Sequence, residues 1–137
     1  MECKKYLSVE NYMKICNLVL KSTKLTDITR LFYNVTLIGS IEDFTFGNLQ
    51  NGETNEKITK ASLTFAGLVH KNTLEAETTN FLNINKDFFK VFPNIQELRG
   101  TFAFCKIGTP IPFDFFKKRR DNSMQVYIKK MVGKDPQ

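Results

Sequence analysis

Apolar residues recur along this chain in a spaced pattern that a lone amphipathic helix does not need. In residues 15–28 they stand at Ile15, Leu18, Leu20, Leu25 and Ile28, with the small polar Thr23 between the last two pairs. Corresponding slots are filled further on by Leu74, Ala76, Phe81 and Ile84, with Thr79 in the small polar place. Leu98 opens another such stretch, followed by Gly100, Ala103 and Cys105. Leu18 lies 23 residues before Ile41, Leu74 lies 24 before Leu98, and Leu98 lies 28 before Val126. A period of roughly 20–29 residues marks a chain built from stacking units, none of which can bury its apolar face alone.

The stretch 15–28 resembles the leucine-rich repeat, LxxLxLxxNxL followed by xxI. Phe92, Pro93, Asn94, Ile95 and Leu98 are similar to the return segment that precedes a new strand in that family. The resemblance implies an α/β fold, a short solenoid with a parallel sheet on its concave face. Leu18 and Leu20 would point inward from the first strand, residues 31–35 would form a helical return, and 124–128 a last strand. The middle of the chain departs from the pattern. Ala61 and Leu74 are only 13 residues apart, and Thr23, Ala66, Thr79 and Ala103 stand where the family carries Asn. A non-repeat α+β single domain also accommodates the sequence. It would have a helix over residues 8–21, a turn at Asn51 and Gly52, and short strands at 61–65 and 102–104.

Either fold is one domain or one short array over residues 1–137, with 1–14 as a candidate N-terminal cap and 129–137 as a basic tail. With 42% hydrophobic and 25% charged residues the chain has the balance of a folded protein. Its 13 phenylalanines and absent tryptophan require a core built on Phe, Leu, Ile and Val. The net charge of +6 favours acidic partners. Four of the positive charges sit together at Lys117, Lys118, Arg119 and Arg120, with Lys129, Lys130 and Lys134 after them. A short charge run is ordinarily a solvated loop. A small basic nucleic-acid-binding protein acting through Lys117, Lys118, Arg119 and Arg120 is the alternative function, because phosphate contacts need such clusters.

Residues fit for catalysis are sparse. Cys3, Cys16 and Cys105 form no CxxC pair and find no set of histidines, so no metal or other cofactor is expected. The odd cysteine count suits a reducing compartment. No apolar leader opens the chain and no stretch reaches the roughly 20 apolar residues of a membrane span. A cytoplasmic or otherwise intracellular location is therefore expected, or a secreted one if the N-terminus is incomplete. His70, the sole histidine, reads as a surface loop residue. Glu75 and Glu77 alternate with Leu74 and Ala76, which turns the carboxylates to water and away from acid–base work. The glycines spell neither GxGxxG nor a Walker loop.

The chain is thus expected to be no enzyme but an interaction module that holds another protein, with self-association as a variant. Its contacts would be the outward strand positions of the concave face. These are Lys21, Glu42, Lys60, Ser62, Glu75, Glu77, Arg99, Thr101, Tyr127 and Lys129. Arg99 and Tyr127 would be the anchors, since Arg and Tyr are enriched where binding energy concentrates.

Overall fold

The computed structural model describes residues 5–48 and 52–108. Over these the chain is mixed α/β, with one α-helix and an open three-stranded parallel sheet. Strand β1 (Lys5–Ser8) leads directly into helix α1 (Val9–Lys21), which returns the chain to β2 (Val35–Ile38); β3 (Val69–Lys71) adds on the far side of β2. The register runs Tyr6 beside Thr36 beside Val69, and Leu7 beside Leu37 beside His70. A short 3-10 helix spans Phe88–Val91.

Helix α1 starts where Ser8 caps it. The Ser8 hydroxyl accepts the Asn11 amide at 3.0 Å, satisfying one of the orphan donors of the first turn. Glu10 in the first turn and Lys21 in the last suit the helix dipole, and Lys14 pairs with Glu10 at 3.2 Å. Tyr12, Cys16, Val19 and Leu20 form the buried stripe, spaced for a single helical face. At the other end the buried Asn55 amide donates to the carbonyls of Val19 and Ser22 at 2.9 and 3.0 Å. Lys57 donates to Thr23 O. The helix C-terminus is thereby closed by a segment more than thirty residues away in sequence.

Three turn-rich segments of equal length, 28–35, 61–68 and 98–105, lie side by side. Amides of Ile28, Arg30, Phe32 and Asn34 donate to the carbonyls of Lys60, Ser62, Thr64 and Ala66 at 2.8–3.1 Å. Amides of Ala61, Leu63, Phe65 and Gly67 donate in turn to Glu97, Arg99, Thr101 and Ala103 at 2.8–2.9 Å. Each segment bends twice through left-handed residues: Arg30 and Asn34, Leu63 and Gly67, Gly100 and Phe104. A left-handed third residue is what a type II turn requires. Threonine hydroxyls tie the segments further. Thr64 Oγ1 donates towards Ile28 O and Ala61 O, and Thr101 Oγ1 towards Ala61 O and Leu98 O.

The core between these layers is aromatic. Phe32, Phe65 and Phe102 occupy the same place in the three segments and stack, with centroids 5.6 and 5.2 Å apart and planes 15° and 9° from parallel. A second stack runs Tyr12, Phe44, Phe88 at 5.4 Å per step. Edge-to-face contacts of Phe65 with Phe44 and Phe88 join the two stacks. Such pairs add about 0.5–1.5 kcal/mol each beyond area burial.

Several expectations from the sequence fail here. Residues 18–20 are helix, not strand, as the non-repeat alternative had it. Leu18 is exposed on α1 and Leu74 is exposed in a turn, while Leu98 is fully buried, so the three do not occupy equivalent places. The helical return over 31–35 is instead the end of the first turn segment and the start of β2. Phe44 bridges Ile84 in parallel, and the turn expected at Asn51 and Gly52 falls partly outside the described residues. At the small polar place Ala66 and Ala103 link segments through their backbone carbonyls, and the side-chain links come from Thr64 and Thr101 instead.

Candidate functional site

Alternation along the three strands divides their side chains. Leu7, Leu37 and His70 face the core, and their neighbours Tyr6, Thr36, Val69, Ile38 and Lys71 face outward. The outward row continues past β3. Asn80 bridges His70 antiparallel, and Leu82 bridges Ile107 in parallel. Leu82 is buried, so Phe81 beside it stands on the outer side, 63% exposed. The Lys106 ammonium lies 5.7 Å from the Phe81 ring centroid, within cation–π range. Tyr6 at the opposite margin is 51% exposed. The outer side of β1 to β3 and of the bridged residues beside them thus carries two exposed aromatics, two half-buried aliphatics and two lysines.

His70 is buried, not at the surface as expected. Its Nε2 meets the Gly39 carbonyl at 2.5 Å, and its Nδ1 lies 3.4 Å from the Asn80 amide nitrogen. Nε2–H donating to Gly39 and Nδ1 accepting from Asn80 satisfies both contacts in the neutral ring. Asn80 also donates to Asn72 at 3.1 Å. Nε2 thereby ties β3 to the Gly39 carbonyl, and Nδ1 with Asn80 helps hold residues 72–80 against the sheet.

The residues nominated from sequence are scattered. Lys21 ends α1 and Glu42 sits in the loop after β2, both exposed. Lys60, Ser62 and Arg99 do come together, but on the turn segments and not on the sheet. Lys60 bridges Asp27 on one side and Glu97 on the other, and Ser62 Oγ accepts the Arg99 amide at 3.2 Å. This row alternates in charge. Hydrogen bonds from Thr29, and then the Lys60 ammonium, hold the Asp27 carboxyl below its ordinary range. Thr101 is not outward; it is fully buried, because its hydroxyl is used between segments. Glu75 and Glu77 are exposed in the 72–80 excursion rather than on a strand. Tyr127, Lys129 and the cluster Lys117, Lys118, Arg119 and Arg120 lie outside the described residues.

Sequence reasoning missed Tyr6, Thr36, Ile38, Val69, Lys71, Phe81 and Lys106. The repeat reading sets Phe81 in the apolar slot of Leu25 and passes over Leu82, whereas Leu82 is buried and Phe81 exposed, a one-residue slip. A usable signal was present. The triplet Thr-Phe-Ala occurs at 64–66 and again at 101–103, and aligning on it brings Phe65 and Phe102 into line; Phe32, between Leu31 and Tyr33, is outside such a triplet.

Among the described residues no group of three or more His, Cys, Asp or Glu could hold a metal ion. None of the described helices is long and apolar enough to cross a membrane. No protein-family model, curated protein or solved structure matches the chain.

Proposed function

We propose that the chain is a short solenoid that acts as a protein-interaction module, binding a protein partner through the outer face of its parallel sheet. The leucine-rich-repeat resemblance enters this reading only as a general architecture of parallel rungs around a shared apolar spine. The turn segments follow one another at 33 and 37 residues, longer than the period first read from Leu18, Leu74 and Leu98.

The observation that supports the reading is the pair Tyr6 and Phe81, largely exposed on the outer side, while Leu37 and His70 on the inner side are buried. Exposed aromatics carry large contact area at a small ordering cost, and such residues dominate protein interfaces. The lysines Lys71 and Lys106 beside them favour an acidic rim on the partner. On the turn segments Lys60 stands between Asp27 and Glu97, so that row alternates in charge.

Site-specific photocrosslinking in the source cells tests this. A photoreactive residue at Val69 should capture one saturable protein, and the same residue at Glu42 should not. Tyr6→Ala with Phe81→Ala should reduce that capture at least about tenfold, the effect of losing two interface anchors. Equal capture at both positions, or capture indifferent to the double substitution, would remove the sheet face as the contact surface.

A further inference from the structure

Threonines in the second and third turn segments reach back to the segment before. Thr64 Oγ1 donates to the Ile28 carbonyl at 3.0 Å, and Thr101 Oγ1 to the Ala61 carbonyl at 2.8 Å. Both threonines are fully buried, whereas Leu31, at the same place in the first segment, is 39% exposed. Two more places repeat the contrast. Tyr33 is 38% exposed where Ala66 and Ala103 are 1% and 6%. Leu25, just ahead of the first segment, is 41% exposed where Ile58 and Ile95 are 0% and 5%. Places that are closed in the second and third segments are therefore open in the first.

What stands at those open places is apolar and large. An array that ends on water ordinarily carries a polar outer face on its last unit. This end instead presents two leucines and a tyrosine, two of them where the later segments carry only threonine and alanine. Large apolar groups gathered at one edge mark an interaction surface.

Charge and hydrogen-bond direction say what fits there. Residues 21–34 contain Lys21, Lys24 and Arg30 against the single acid Asp27, whose carboxylate already accepts the Thr29 amide at 2.8 Å. All three cations are exposed. Such a rim favours an acidic partner and opposes a second copy meeting this edge with the same cations. The second segment turns the carbonyls of Lys60, Ser62, Thr64 and Ala66 towards the first. The first segment makes the same two left-handed bends, which direct its equivalent carbonyls, those of Asp27, Thr29, Leu31 and Tyr33, away from the stack. Outward carbonyls match amide donors, which an extended peptide supplies as it does in strand addition.

We propose that this edge is a second docking site, taking an extended acidic segment of another protein with apolar residues among its carboxylates. The segment's amides address the outward carbonyls, its apolar side chains lie on Leu25, Leu31 and Tyr33, and its carboxylates meet Lys24 and Arg30. Neither Tyr6 nor Phe81 takes part, so the site stands apart from the sheet face.

The test selects a library of random short peptides on the full chain and measures the affinity of those recovered by fluorescence polarisation. They should be net acidic with interspersed apolar residues. Leu31→Glu and Tyr33→Ser should each weaken them at least about tenfold. Methylating alternate peptide amides should weaken them as much, because the donors are lost. Phe81→Ala should leave their affinity within about twofold, as expected for a distant site. A library that yields no binder, or yields net basic ones, would overturn the proposal. Peptides weakened by Phe81→Ala and not by Leu31→Glu would overturn it too, while leaving the sheet face standing. A concentration-dependent dimer in sedimentation that Leu31→Glu abolishes would make a second copy the occupant. A photoreactive residue at Thr29 that crosslinks to residues 109–137 of its own chain would make the chain itself the occupant, and either result overturns the proposal.

Discussion

Gly67 shows how tightly neighbouring segments meet at the level of single atoms. It sits at φ +70°, and a Cβ built there would collide with Asn34 Oδ1. Asn34 holds the equivalent place one segment earlier, itself left-handed at φ 57°. Asn tolerates that conformation better than most residues because its short side chain can bond locally. Gly67→Ala should therefore destabilise by at least about 1–2 kcal/mol from backbone strain alone, with the collision adding to it. Asn34→Gly removes the colliding group, so in that background the loss should shrink by about 0.5–3 kcal/mol, the coupling expected of residues in contact. Urea denaturation of the two single variants and the double variant measures this; strict additivity would show that the segments are not in contact there. Phe104, left-handed and 92% exposed, has no such explanation in the described structure.

At the scale of elements, α1 was the most legible part of the sequence, though only in the non-repeat alternative. Ser8 before Val9, Glu10 and Lys14 four apart, and the Tyr12, Cys16, Val19, Leu20 stripe are all local signals. Reading Leu18 and Leu20 as an alternating strand used the same apolar residues at the wrong period, and short apolar runs leave helix and strand ambiguous. The turn segments were illegible for a different reason. Their hydrogen bonds go to residues about 33–37 positions away, and their left-handed places are filled by Arg30, Leu63 and Phe104 as well as by Gly and Asn. No local propensity reveals such turns. The helix face also sets a pH response. Burial pushes the Cys16 thiol from 9.0 up to about 12, and likewise the Cys105 thiol to about 11; burial raises the Tyr12 hydroxyl too. The folded chain keeps these protons where the unfolded chain releases them, so their contribution is complete below about pH 9 and is lost as the pH climbs above it. The urea midpoint should be level between about pH 7 and 8.5 and fall steadily beyond pH 9, less steeply in Cys16→Ala. A midpoint that rises above pH 9 would contradict the buried thiol.

Over the described residues, the sheet and the turn segments flank one aromatic interior, into which α1 sets Tyr12 against Phe32 and Phe44. The outer sheet face could not have been found from sequence, because its row crosses five separated segments and includes Phe81, whose side is fixed only by the bridge at Leu82. The charged row Asp27, Lys60, Glu97 was half legible. Lys60 was singled out, yet its place between two acids depends on the 33- and 37-residue spacings. Parallel stacking of residues 28–35, 61–68 and 98–105 underlies the sheet-face proposal. Through-hydrogen-bond couplings between amide nitrogens and carbonyl carbons read that stacking directly. The expected set links Ile28, Arg30, Phe32 and Asn34 to Lys60, Ser62, Thr64 and Ala66, and links Ala61, Leu63, Phe65 and Gly67 to Glu97, Arg99, Thr101 and Ala103. Couplings that run in the reverse order, or that join these amides only to carbonyls within their own segments, would contradict the stack.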